Sequence, residues 1–183
     1  MFKIEVKQEI INHCRQQIST YNFGKRVVAN GNSEQQLTGI IGQSVIMDLF
    51  GLGYINGENG FDDGVDISYN NLSIDVKTMG RTTEVRDYYV NNFIGLQLYF
   101  KTDIYIFCSF NKNTQILTVC GWIEKADFLK KSNLFPKGTT RKRSDGSTFH
   151  TFADLYEISN KDLNNVNSFE ELKSELDKIK KVN

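Results

Sequence analysis

The chain is poor in residues that tie or break a polypeptide. Its 183 residues include three cysteines and one proline, with no excess of either charge. It has no apolar run long enough to span a bilayer. Cys14, Cys108 and Cys120 are odd in number and far apart, which excludes a disulfide framework and zinc-ligand spacing. Cys108 and Cys120 lie in strand-like runs and read as small buried hydrophobes. Lys plus Arg equals Asp plus Glu at 22 each, so no global basic field exists to coat nucleic acid. An enzyme needs only a local basic rim, so that balance leaves enzymatic classes open. No signal peptide, internal repeat, low-complexity tract, zinc ribbon, helix-turn-helix or glycine-rich phosphate loop is visible. The expectation is a protein of the reducing cytoplasm with no membrane contact. Hydrophobic residues at 39% and aromatics at 12% suit one globular domain over 1–183 with a core of its own.

The informative stretch runs from Gly60 to Thr78. Val65, Ile67 and Tyr69 alternate with polar residues, Tyr69-Asn70-Asn71 supplies a turn, and Leu72, Ile74 and Val76 alternate again. This predicts a β-hairpin. Side chains two apart in a strand share a face, so Asp75 and Lys77 point the same way, opposite to Leu72, Ile74 and Val76. Asp66 faces away from Val65 and Ile67 and meets that pair across the ladder. Two carboxylates and an ammonium then converge on one side of a sheet whose other side is apolar.

That grouping suits metal-assisted phosphodiester hydrolysis. Hard divalent ions such as Mg²⁺, or Mn²⁺ in its place, take one or two carboxylates with water and phosphate oxygens. The ion activates water and steadies the leaving oxygen, and a lysine beside it orients that water. The bare spacing is weak, arising by chance on the order of once in a chain of this size at average composition. Asp162 with Glu171 and Lys173 repeats it, but in a helix-patterned tail, where Glu171 and Lys173 point about 200° apart. Only Asp66, Asp75 and Lys77 sit on alternating strands joined by a turn.

With that context the chain resembles the core of the PD-(D/E)XK nuclease superfamily over about residues 34–110. There a helix precedes a hairpin carrying Asp and then (Asp/Glu)-x-Lys. Leu37 to Gly51 is similar to the family's Gly-x-x-Gly-Glu helix, with Gly39, Gly42 and Gln43 at the motif positions. The resemblance implies that Asp66, Asp75 and the backbone carbonyl of Val76 hold the metal and that Lys77 is the catalytic lysine. Two positions depart from the pattern. Val65 replaces the proline, and Gln43 stands where a glutamate is usual, able to position the metal's water but bringing no charge. Glu34 is the alternative acid, roughly 13 Å from Gln43 along a helix.

Elsewhere, residues 2–21 place Val6, Ile10, Cys14, Ile18 and Tyr21 at helical intervals. Asn32 or Ser33 caps the helix that follows a loop containing Lys25 and Arg26. Asp62 and Asp63 either add a ligand or simply form turns. Thr78 to Glu84 reads as a loop from which Arg81 touches a phosphate of the cut strand. Val85 to Tyr99 reads as a strand with a bulge at Asn91-Asn92, and Gln97 is a polar residue near the site. Asp103–Phe110 and Gln115–Ile123 are the strongest strands, antiparallel neighbours with the first central. Trp122 reads as packing rather than as a base-stacking platform.

Lys137, Arg141, Lys142 and Arg143 concentrate basic charge in the loop 137–146, near the single proline, Pro136. They either contact the DNA backbone, fixing position rather than sequence, or form a solvated loop. Residues 149–158 form a closing strand, and Leu163, Val166, Phe169, Leu172 and Leu176 predict a helical cap over 160–181. The expected fold is α/β (α+β-like), a mixed central sheet flanked by helices with its core at about 34–123. The expected activity is Mg²⁺-dependent cleavage of DNA, by a homodimer if this chain follows many members of the superfamily. The competing expectation is a catalytically weakened fold of the same type that binds DNA or protein.

Overall fold

The computed structural model describes residues 1–21, 23, 32–59, 64–142 and 146–179. Phe2 and Ile4 alternate with Lys3 and Glu5, and this period of two makes a strand, β1 (Phe2–Glu5), where a helix was expected. The helical period begins later, in α1 (Gln8–Thr20), which buries Ile10, Ile11 and Cys14. α2 (Ser33–Leu49) starts at a capping box. The Asn32 side chain accepts from the Gln35 N–H at 2.9 Å, and the Gln35 side chain accepts from the Asn32 N–H at 3.0 Å.

β2 (Ile67–Tyr69) and β3 (Leu72–Arg81) form the expected hairpin. Its turn residues Asn70 and Asn71 have φ of 47° and 64°, the left-handed geometry that a tight hairpin turn needs. β3 runs on through Arg81, past the loop expected at Thr78. Its extra length is held by parallel pairing with β5 (Ile104–Asn111), from Ile74↔Ile104 to Arg81↔Asn111. The apolar stretch 85–99 divides into β4 (Val90–Ile94) and a 3₁₀ turn at Gly95–Tyr99. Asn91 and Asn92 pair regularly with Ile158 and Glu157, so there is no bulge there.

β5 pairs antiparallel with β6 (Ile116–Glu124), followed by α3 (Lys125–Lys131) and β7 (Asn133–Phe135). β8 (Thr140–Lys142) and β9 (Thr148–His150) form a small hairpin from the basic loop. β10 (Leu155–Ser159) and α4 (Phe169–Asp177) complete the chain.

The fold is α/β, with a mixed five-stranded sheet in the order β1-β6-β5-β3-β2. β5 is its central strand and is buried along its whole length, which is why it reads as an unbroken apolar run. On one face Ile74, Val76, Ile104, Ile106 and Cys108 pack with apolar residues of α1, α2 and α4. The other face is covered too. Tyr105, Phe107, Cys120 and Ile123 pack under Phe93 of β4, Phe128 of α3 and Ile158 of β10. This cover includes a second, three-stranded sheet in the order β4-β10-β7.

The cap expected over 160–181 is helical only in a 3₁₀ turn at Asn160–Asp162 and in α4. Between them Asn164 forms a β-bridge with Trp122. Leu163 packs into the second cluster and Val166 into the first, so the two do not share one helical face. Trp122 is core, 6% exposed, and all three cysteines are free and buried. Among the described residues no helix is long and apolar enough to cross a membrane.

Candidate active site

β2 pairs with β3 through Ile67↔Ile74, and one further step of that register sets Asp66 opposite Asp75. The Asp66 N–H donates to the Ile74 carbonyl at 2.9 Å, which keeps its backbone against β3 after the regular ladder has ended. Its carboxylate then takes the role of a ladder carbonyl, with Asp66 Oδ2 accepting from the Val76 N–H at 2.7 Å. A strand residue's N–H and C=O point to the same neighbour, so the Val76 carbonyl also faces the Asp66 side. Ser73 points the other way. Its N–H donates to Asp103 Oδ2 and its carbonyl accepts from the Asp103 N–H, both at 2.8 Å.

Asp75 and Lys77 share the opposite face from Ile74 and Val76, as their spacing requires. Lys77 Nζ lies 2.7 Å from Asp75 Oδ2, with the two side chains 17% and 2% exposed. The ammonium also lies 5.6 Å from the centroid of the Phe93 ring. This face is therefore not a polar counterpart to an apolar one. The pair sits at the margin of the second apolar cluster, against the second sheet.

Tyr105 is the group that sequence reasoning passed over. It is Asp75's register partner on β5 and is fully buried, and among the described residues its hydroxyl has no hydrogen-bond partner. Burial, and then the Asp75 charge, push its pKa up, so the phenol stays protonated. In sequence Tyr105 is one apolar residue in a buried strand. Only the parallel register between β3 and β5 sets it beside a carboxylate.

α2 packs on the face of β3 that carries Thr78, where Gly42 makes the close approach, and the half-buried Gln43 lies on that helix. Glu34 makes an ion pair with Lys112 at 2.5 Å. Lys112 is anchored at the far end of β3 by its N–H bond to the Arg81 carbonyl, 2.9 Å. Positions 75 and 81 of an extended strand are roughly 20 Å apart, so Glu34 is no substitute acid. Glu34→Gln is expected to change stability by under about 1 kcal/mol, as for other exposed pairs. Urea-unfolding curves of the variant and the wild type check it.

Arg81 is the last residue of β3 rather than part of a loop. Its Nη2 donates to the Val90 carbonyl at 2.6 Å and its guanidinium lies 5.1 Å from the Tyr89 ring centroid. Burial pulls its pKa down. Its visible work is to tie β3 to β4, and a phosphate contact would compete with that.

Arg141 is engaged as well. Its Nη2 lies 2.6 Å from Glu157 Oε2 and its guanidinium stacks 3.7 Å from the Phe135 ring centroid, anchoring the β8–β9 hairpin to the second sheet. Lys137 and Lys142 are exposed, and Gln97 is half-buried in the 3₁₀ turn after β4. Arg143, Asp62, Asp63, Lys25 and Arg26 lie outside the described residues.

Among the described residues no group of three or more His, Cys, Asp or Glu is arranged to hold a metal ion. The donor set at the hairpin is smaller: two carboxylates and one carbonyl. That composition fits a hard, oxygen-seeking cation, which ordinarily takes one or two carboxylates and fills the rest of its shell with water and phosphate. It does not fit zinc or another ion that prefers nitrogen and sulfur. No family model, curated protein or solved structure matches this chain.

Proposed function

We propose that the protein is a metal-dependent nuclease of the PD-(D/E)XK type that hydrolyses phosphodiester bonds in DNA. The observation that carries this reading is the register of the hairpin. It sets Asp66 across from Asp75 while the Lys77 ammonium stands 2.7 Å from the Asp75 carboxylate. A buried ion pair is a poor source of stability, because desolvation offsets the attraction. A carboxylate that is 2% exposed and paired with an amine at a sheet margin is better accounted for by chemistry at that place.

Asp66, Asp75 and the Val76 carbonyl would hold Mg²⁺, or Mn²⁺ in its stead. Such an ion supplies Lewis acidity to an attacking water and counters charge on the leaving oxygen. The chain's own groups do the positioning. The Val76 N–H fixes the rotamer of Asp66. The Lys77 ammonium, ion-paired with Asp75, has N–H groups to orient the water or bind a phosphate oxygen. The apolar wall around Phe93 lowers the local dielectric and strengthens these interactions. Attack in line with the 3′-oxygen leaves a 5′-phosphate end.

A second reading, a weakened fold of this type that binds DNA or protein without cutting, has one observation in its favour. No acid from α2 serves the site, since Gln43 stands at the motif position and Glu34 is paired with Lys112. Incubation with supercoiled plasmid and Mg²⁺ or Mn²⁺ separates the two. Nicked and linear products that EDTA suppresses support the nuclease. Retarded DNA that stays intact in every metal, or no interaction at all, overturns it.

A further inference from the structure

We propose that the Tyr105 hydroxyl is a substrate-contacting group of this same site, donating a hydrogen bond to a phosphate oxygen held beside Asp75. The inference rests on the nuclease reading and deepens it. Three observations carry it. Tyr105 and Asp75 are register partners on adjacent parallel strands, so their side chains leave the same face as neighbours. The phenol ring is locked on the site's apolar wall, with centroids 4.9 Å from Phe93 and 5.2 Å from Phe128. Phe93 is also the ring beneath the Lys77 ammonium, so one aromatic side chain touches both the phenol and the amine.

The third observation is the hydroxyl itself. Tyr105 is fully buried, yet among the described residues its Oη has no hydrogen-bond partner. An unpaired buried hydroxyl costs stability that phenylalanine would not. A fold served only by packing has no use for that oxygen. A phosphate oxygen brought to Asp75 by a cation would give it an acceptor, and Lys77 and Tyr105 would then present an ammonium and a neutral donor to one anion.

Tyr105→Phe tests this with two readouts besides turnover. In the protein alone, the variant unfolds in urea at the wild-type midpoint or above it, because the removed hydroxyl pairs with nothing in the fold. With Ca²⁺ in place of Mg²⁺, a fluorescein-labelled duplex binds about tenfold more weakly by anisotropy, and Mg²⁺-dependent cleavage falls by a similar factor. A variant that binds and cuts as the wild type does, while Asp75→Asn is inactive, overturns the role of Tyr105 and leaves the nuclease standing. A variant with a clearly lowered midpoint also overturns it, since the hydroxyl would then be structural. A wild type that neither binds nor cuts DNA overturns both readings together.

Discussion

Asp75→Asn is expected to lower Mg²⁺-dependent DNA cleavage by about a thousandfold, the loss typical when a key electrostatic group of an active site is removed. The substitution keeps the shape of the side chain and one oxygen, so the fold around β3 is little disturbed. What disappears is the charge that faces both the proposed cation and the Lys77 ammonium 2.7 Å away. The same change has a separate structural cost. Lys77, whose side chain is 17% exposed, is left with its ammonium against the Phe93 ring and without the Asp75 charge, which costs about 3 kcal/mol by analogy with broken buried pairs. The two effects are separable. Adding Lys77→Met to Asp75→Asn removes the stranded charge and is expected to restore much of the urea midpoint without restoring any cleavage. If the double variant regained activity along with stability, Asp75 would be a structural partner of Lys77 and not a ligand. Cleavage by Asp75→Asn at near the wild-type rate would remove the site altogether.

The parts of the molecule that could be read in the sequence are those whose pairing is local. Leu72, Ile74 and Val76 alternate with Asp75 and Lys77, and Asn70-Asn71 closes the turn, so the hairpin and the shared face of its charged residues follow from a period of two. β5 and β6 were legible for the same reason, since a short turn joins two apolar runs. The second sheet was not. Val90 pairs with Ser159 and Leu155 with Phe135, partners distant in sequence with no turn to announce them. Without that sheet in view, the side of β3 that bears Asp75 reads as simply polar.

The partners of two supporting residues were hidden for a related reason. Arg81 and Arg141 have the composition of phosphate contacts, but long-range partners, the Val90 carbonyl and Glu157, engage them within the fold. In α2 the sequence draws attention to Gln43, while the geometry draws it to the glycine just before.

Gly42→Ala is the substitution expected to destabilise the fold most for its size. A Cβ at position 42 would lie 1.9 Å from Thr78 Oγ1, 2.8 Å from its Cβ and 2.9 Å from its Cγ2. None of these is the far end of a flexible chain. Thr78 is β-branched and held in the β3–β5 ladder, so the helix must move away from the sheet. Alanine favours an isolated helix by about 1 kcal/mol over glycine, yet forced overpacking against a rigid neighbour costs about 1–3 kcal/mol and occasionally more. The net expectation is a loss of about 2 kcal/mol, read as a lower urea midpoint.

Gly39 supplies the control on the same helix. Nothing lies within 4 Å of a Cβ built there, so Gly39→Ala should raise stability by about 0.5–1 kcal/mol. Thr78→Ala supplies the rescue. The Thr78 hydroxyl is buried without a partner, so its removal costs little alone, and it deletes two of the three atoms in the clash. Combined with Gly42→Ala it should recover about half of the loss, a coupling that independent sites would not show. Because Thr78 adjoins Lys77, the displaced helix should also lower cleavage in Gly42→Ala and spare it in Gly39→Ala. A Gly42→Ala variant as stable as the wild type would mean that α2 does not approach β3 this closely.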